Sequence, residues 1–172
     1  MLGTSHRIMG FASGAGLASF FGADVVGILT CSFVGSLGAL APDIDHRGSK
    51  VGRMFGPLSW LVSSLFKHRG FTHSLLMLLI LAWTVDRYLS PHEMLGYAFI
   101  AGVASHILGD MLTKKKVMFL WPVPIYIGFP IMRTGSKMEM PIAVILSLLM
   151  VMAPYHEDVL SFYYHYAAPM WS

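Results

Sequence analysis

The chain has 172 residues, of which 55% are hydrophobic and 12% charged, with a formal net charge of +3. That charged fraction is about half that of an ordinary soluble domain, so composition points to a membrane protein, and the pI of about 9.1 does not signal nucleic acid because no Lys/Arg stripe with interleaved aromatics accompanies it. One cysteine, Cys31, excludes an intramolecular disulfide and a thiolate metal cluster, and the absence of Asn and Gln excludes a catalytic amide.

In chain order, apolar runs fall at residues 8–22, 25–41, 71–89, 94–112 and 141–153. A full helical crossing takes about 20 residues, so the second, third and fourth runs are credible spans, whereas the first and fifth are short and suit a tilted crossing, a buried bundle helix or a re-entrant piece equally. No linker or repeat divides the chain, and residues 1–172 are expected to form one integral membrane domain. The expected architecture is all-α, a multi-pass bundle of about four to five membrane helices. The first run is glycine-rich and lacks a small-x-small cleavage site, so it is expected to stay on the mature protein.

Between the second and third runs, residues 42–70 carry five bases and the apolar patch Leu58-Ser59-Trp60-Leu61-Val62, which suits the membrane interface. The third and fourth runs are joined by a tight turn through Ser90, Pro91, His92 and Glu93. If the five runs cross alternately, one face receives Arg7, then Arg47, Lys50, Arg53, Lys67 and Arg69, then Lys114, Lys115, Lys116, Arg133 and Lys137. These are eleven of the twelve basic residues, and Arg87 falls opposite. Short basic loops resist translocation, so that face is expected to be cytoplasmic. The aromatic tail 155–172 reads as an interfacial anchor on the other face, with His156 and His165.

Four polar segments map to the basic face: Ser5-His6-Arg7, Pro42-Asp43-Ile44-Asp45-His46, His68 through Ser74, and Ser105 through Asp110. His106 and Asp110 are four apart, which puts both on one helical face within reach of a single ion. His68 and His73 flank a Gly-Phe-Thr turn that could converge their imidazoles, although Thr72 or Ser74 could equally be capping a helix there. An extended Pro-Asp-Ile-Asp-His segment would send the alternate side chains Asp43 and Asp45 to one side, and two carboxylates held that close call for a cation, although the motif alone would also suit a hydrated loop. The metal-ligand candidates are therefore His6, Asp43, Asp45, His68, His73, His106 and Asp110. Zinc is placed first, with manganese or magnesium as alternatives, because mixed imidazole and carboxylate donors suit all three. Asp45, Arg69 and Glu139 are the catalytic candidates. Arg69 would chelate a substrate phosphate, and Glu139 would act as a base or further ligand unless it serves only the start of the fifth run.

These segments, in this order and followed by Trp121-Pro122, resemble the YdjM-like family of LexA-regulated inner-membrane metal-dependent hydrolases over roughly the first 140 residues. The resemblance implies a multi-helix inner-membrane protein that hydrolyses a bond with bound metal, in some members within the DNA-damage response. The His-x-x-x-Asp element is also similar to one in zinc-dependent phospholipases C. The expected activity is hydrolysis of a phosphoester in a lipid or lipid-linked substrate at the cytoplasmic face, with membrane lipids as partners and Lys114, Lys115 and Lys116 against anionic headgroups. A metal or proton transporter and a metal-stapled scaffold are the alternatives that the residues leave open.

Overall fold

The computed structural model describes residues 1–66 and 68–156. Lys67 and most of the aromatic tail, including His165, lie outside the described residues. Among the described residues the chain is all-helical, without a named strand: α1 Gly3–Phe20, α2 Val25–Gly38, α3 Lys50–Met54, α4 Gly56–Leu65, α5 Leu75–Tyr88, α6 Glu93–Met111 and α7 Glu139–Met152. Each of the five apolar runs becomes one long helix. Among the described residues only two stretches, Val25–Asp45 and Glu93–Met111, are by themselves long and apolar enough to cross a membrane, so the crossings read from the other three runs are not established by length and composition.

The helix starts follow local chemistry. The Asp24 side chain caps α2 by accepting from the Gly27 amide at 2.8 Å, and Ser74 caps α5 by accepting from the Met77 amide at 3.2 Å. The third run is therefore helical only from Leu75. Residues Phe71–His73 form a separate 3-10 turn, which leaves Thr72 and His73 free to point elsewhere.

Helices α1, α2 and α6 form the centre, with α7 against α1 and α5 against α6. Glycines bring the central three together backbone to backbone. A methyl group added at Gly102 of α6 would lie 2.0 Å from the Gly35 carbonyl oxygen of α2, and one added at Gly35 would lie 2.3 Å from that of Gly10 in α1. Small residues that let helix backbones touch are the usual means of helix association in lipid, where the hydrophobic effect gives no drive. Large apolar side chains point outward instead: Leu29 and Phe33 of α2, Trp83 of α5, and Leu148 and Leu149 of α7 are all more than half exposed. This arrangement, with small residues inside and large apolar residues outside, suits a hydrocarbon surrounding.

At one end of the bundle, residues 112–138 close over the helix termini without forming a helix. The Met118 amide donates to the Arg69 carbonyl at 3.0 Å, and the Leu75 amide donates to the Phe119 carbonyl at 2.8 Å. Trp121 packs edge-on against Phe71 and Phe66, with ring centroids 5.3 and 5.8 Å apart. The apolar patch 58–62 falls on α4, where Leu58, Trp60 and Leu61 are exposed and Ser59 is buried. Arg47 holds the next turn of α4 through the Ser63 and Ser64 hydroxyls at 2.6 and 3.0 Å.

Candidate metal centre

The centre is built on the last turn of α6. His106 and Asp110 are one turn apart, and His106 Nε2 lies 3.7 Å from an Asp110 carboxylate oxygen. Both side chains are buried. The Nδ1–H of His106 donates to the Ala39 carbonyl at the end of α2, at 2.6 Å. With that nitrogen committed, the neutral ring presents a bare lone pair on Nε2.

Three further elements converge on the His106–Asp110 pair. His6, in the first turn of α1, stacks on the His106 ring with centroids 3.6 Å apart, and its Nε2 is 3.4 Å from Asp110 Oδ1. The 3-10 turn before α5 supplies His73, whose Nε2 is 3.1 Å from His106 Nε2 and 3.4 Å from Asp110 Oδ2. The turn after α2 brings Asp43 to 4.0 Å from His106 Nε2. Ligand atoms of His6, His106 and Asp110 all lie within 4.8 Å of one another, a spacing that one ion could bridge. Two imidazole nitrogens at 3.1 Å, one of them a bare lone pair, are compatible only with a proton or a metal ion between them.

Asp45 stands behind this group, fully buried. Its Oδ2 faces His73 Nδ1 at 3.4 Å, accepts from the Arg69 amide at 3.1 Å and also accepts from the Thr72 hydroxyl. Its Oδ1 meets His68 Nδ1 at 2.7 Å. Asp45 thus touches the far nitrogen of His73 and lies outside the set facing His106. A carboxylate on the far nitrogen is the usual outer partner of a metal-bound histidine, fixing its tautomer and raising its basicity.

Arg69 has a left-handed backbone, with φ of 65°, an uncommon conformation for a residue with a side chain. Its guanidinium reaches Asp110 at 2.9 Å, the Thr113 hydroxyl at 3.1 Å and the Lys115 carbonyl. Glu139, at the start of α7, accepts from the Leu2 amide at 2.6 Å, the Ser5 hydroxyl at 2.7 Å and the Gly135 amide at 2.6 Å. These bonds pin the start of α1 to the start of α7.

The chain matches the family model described as YdjM inner membrane protein over residues 1–168. It belongs to that family. Among relatives, the family member is 41% identical over 140 residues to the Bacillus subtilis (strain 168) protein named "Uncharacterized protein YvsG", covering 81% of this chain and 85% of that one. It is 36% identical over 135 residues to the protein named "Inner membrane protein YdjM" of Escherichia coli (strain K12), and equally to that of Shigella flexneri, covering 74% of this chain and 64% of each of theirs. No solved structure matches the chain.

The structure thus gathers His6, Asp43, His73, His106 and Asp110 around one point, puts Asp45 and His68 one layer further out, and sets Glu139 among backbone donors. Sequence reasoning missed the Ala39 carbonyl, the Thr72 hydroxyl and the loop 112–138. The first two carry no composition signal, and the loop's only signal was Trp121-Pro122. It also missed a cavity of about 500 Å³ beside the centre, lined by Arg7, Asp43, Lys50, His68, Arg69, Asp110 and Lys115 among others.

Proposed function

We propose that this inner-membrane protein is a metal-dependent hydrolase acting on a phosphoester of a lipid or lipid-linked substrate at the cytoplasmic face. The observation that carries the reading is the approach of the His73 and His106 Nε2 atoms to 3.1 Å beside Asp110, with the far nitrogen of each ring already facing an acceptor. His6, His73, His106 and Asp110 would hold a divalent ion. Zinc is the first expectation, because three imidazoles and a carboxylate with no thiolate make a tetrahedral N/O set. Such an ion supplies a water acidic enough to ionise near neutral pH and a counter-charge for a phosphoryl oxygen.

The chain's own residues do the rest. Asp45 holds the His73 ring in register from behind. Arg69, fixed by Asp110 and Thr113 at the cavity wall, presents a guanidinium to a phosphoryl oxygen entering from the open side. The buried centre keeps bulk water away from one flank, and the cavity admits substrate from the other.

The membrane setting supports a lipid substrate, since the centre sits at helix ends where a headgroup can be reached without extracting its tail. Helices of 14 residues, such as α5 and α7, rise only about 21 Å, short of a hydrocarbon core of about 30 Å. In a four- to five-span bundle, the 3-10 turn Phe71–His73 before α5 and a second one, Ala153–Tyr155, directly after α7 would therefore complete those two helices. The basic residues gathered near the centre support a cytoplasmic site under the positive-inside rule.

Elemental analysis of detergent-purified wild type beside His73→Ala and His106→Ala, each matched for folding by thermal melt, tests the centre. Stoichiometric zinc or manganese in the wild type, lost from both variants, is the expected result. Release of phosphate or headgroup from phospholipid vesicles, absent in both variants, would then establish the hydrolase. Metal-dependent flux into sealed vesicles without hydrolysis would replace it with a transporter.

A further inference from the structure

We propose that the cavity beside the centre takes a diphosphate group, so that the substrate carries two linked phosphoryl groups; this rests on the hydrolase reading above and narrows its substrate class. The cavity has a volume of about 500 Å³, within the range of small-molecule sites and larger than a single phosphate needs. Its wall carries both signs of charge: Asp43 and Asp110 line it with His68, and so do Arg7, Lys50 and Lys115.

These three bases come from three separate parts of the fold: the first turns of α1, the start of α3, and the loop after α6. Each is exposed, and none makes an ion pair or side-chain hydrogen bond with the other described residues. Arg69, by contrast, is already tied to Asp110 and Thr113. Three unpaired cations converging on one concave space repel one another and concentrate anions there.

One phosphoryl group placed against Arg69 and the centre would leave Arg7, Lys50 and Lys115 unmatched. A second, linked through one oxygen, extends the negative charge toward them. A diphosphate on a lipid and one on a soluble carrier present the same group to this wall.

The full-length protein as purified in detergent is titrated calorimetrically with methylenediphosphonate, which resists hydrolysis, and with methylphosphonate. The diphosphonate should bind at least about tenfold more tightly, since each contact between charged groups is worth roughly a factor of ten. Lys50→Ala/Lys115→Ala should lose that preference while keeping the wild-type melting temperature and metal content. Equal affinity for the two probes, or a preference that survives the double substitution, would overturn the proposal. Metal stoichiometry measured on the same samples keeps the hydrolase reading separate: its loss in wild type counts against the centre, whereas a metal-loaded protein indifferent to the second phosphoryl group counts against the diphosphate alone. With the preference in hand, an alkyl diphosphate in vesicles set against adenosine diphosphate in solution identifies the carrier, and binding of either upholds the diphosphate chemistry.

Discussion

Asp45 faces His73 from behind, its Oδ2 3.4 Å from the Nδ1 of a ring whose other nitrogen points at His106. In the proposed metal centre the two residues would act as a unit: the ring would supply the donor atom and the carboxylate would set its tautomer and direction. Asp45→Asn keeps the shape but removes the charge and allows the amide to present a donor instead. Metal affinity should fall by about 10- to 100-fold, as is usual for an outer partner of a metal-bound histidine. Competition titration against a chromogenic chelator measures this, and an unchanged affinity would show that His73 needs no such support.

Arg69 allows backbone and side chain to be separated. Its φ of 65° costs a non-glycine residue on the order of 1 kcal/mol or more, which glycine does not incur. Arg69→Gly and Arg69→Ala both lose the guanidinium contacts to Asp110 and Thr113, so turnover should fall alike in the two. In thermal melts the glycine variant should be the more stable by about 1 kcal/mol. Equal stability would mean that the turn relaxes once the side chain is gone.

Glu139 accepts three hydrogen bonds, from Leu2, Ser5 and Gly135. Glu139→Ala strands the buried Ser5 hydroxyl and two partly buried amides and should lower stability by about 1–3 kcal/mol, the cost of leaving such a buried group unpaired. Metal content per folded molecule should be unchanged. A variant that melts like wild type but no longer turns over substrate would instead give Glu139 the role of a base.

The central packing tolerates no side chain where α1, α2 and α6 touch. A methyl group on Gly102 would sit 2.0 Å from the Gly35 carbonyl oxygen, whereas one on Gly3 would meet nothing within 4 Å. Gly102→Ala should therefore destabilise by about 1–3 kcal/mol or more through overpacking, and Gly3→Ala should be silent. Yield of monodisperse protein in detergent, followed by melting, distinguishes the two.

The positions of the helices were legible because apolar runs this long leave few alternatives. The His106/Asp110 pair was legible because four residues make one helical turn. The sequence could not show that Asp45 turns away from His106, since alternation along an extended Asp-Ile-Asp segment sends both carboxylates the same way. Residues 41–45 instead wind as a 3-10 turn, which leaves Asp43 toward His106 and Asp45 toward His68 and His73. The Arg69 conformation was hidden for a similar reason. It is imposed by contacts with Asp45, Asp110 and the distant loop at Met118, none of which is local.

His6 and Asp110, held 3.4 Å apart, come from opposite ends of the described chain's central helices. During synthesis the imidazole of the first helix emerges early, and Asp110, the carboxylate it faces, follows only at the end of α6. Assembly of the centre is thus coupled to completion of the bundle, because a partly inserted chain lacks half of the ligands. If the centre takes a metal, its premature capture by nascent chains would be disfavoured, and a bound ion would act as a late lock that joins the first helix to the sixth once both have found their places.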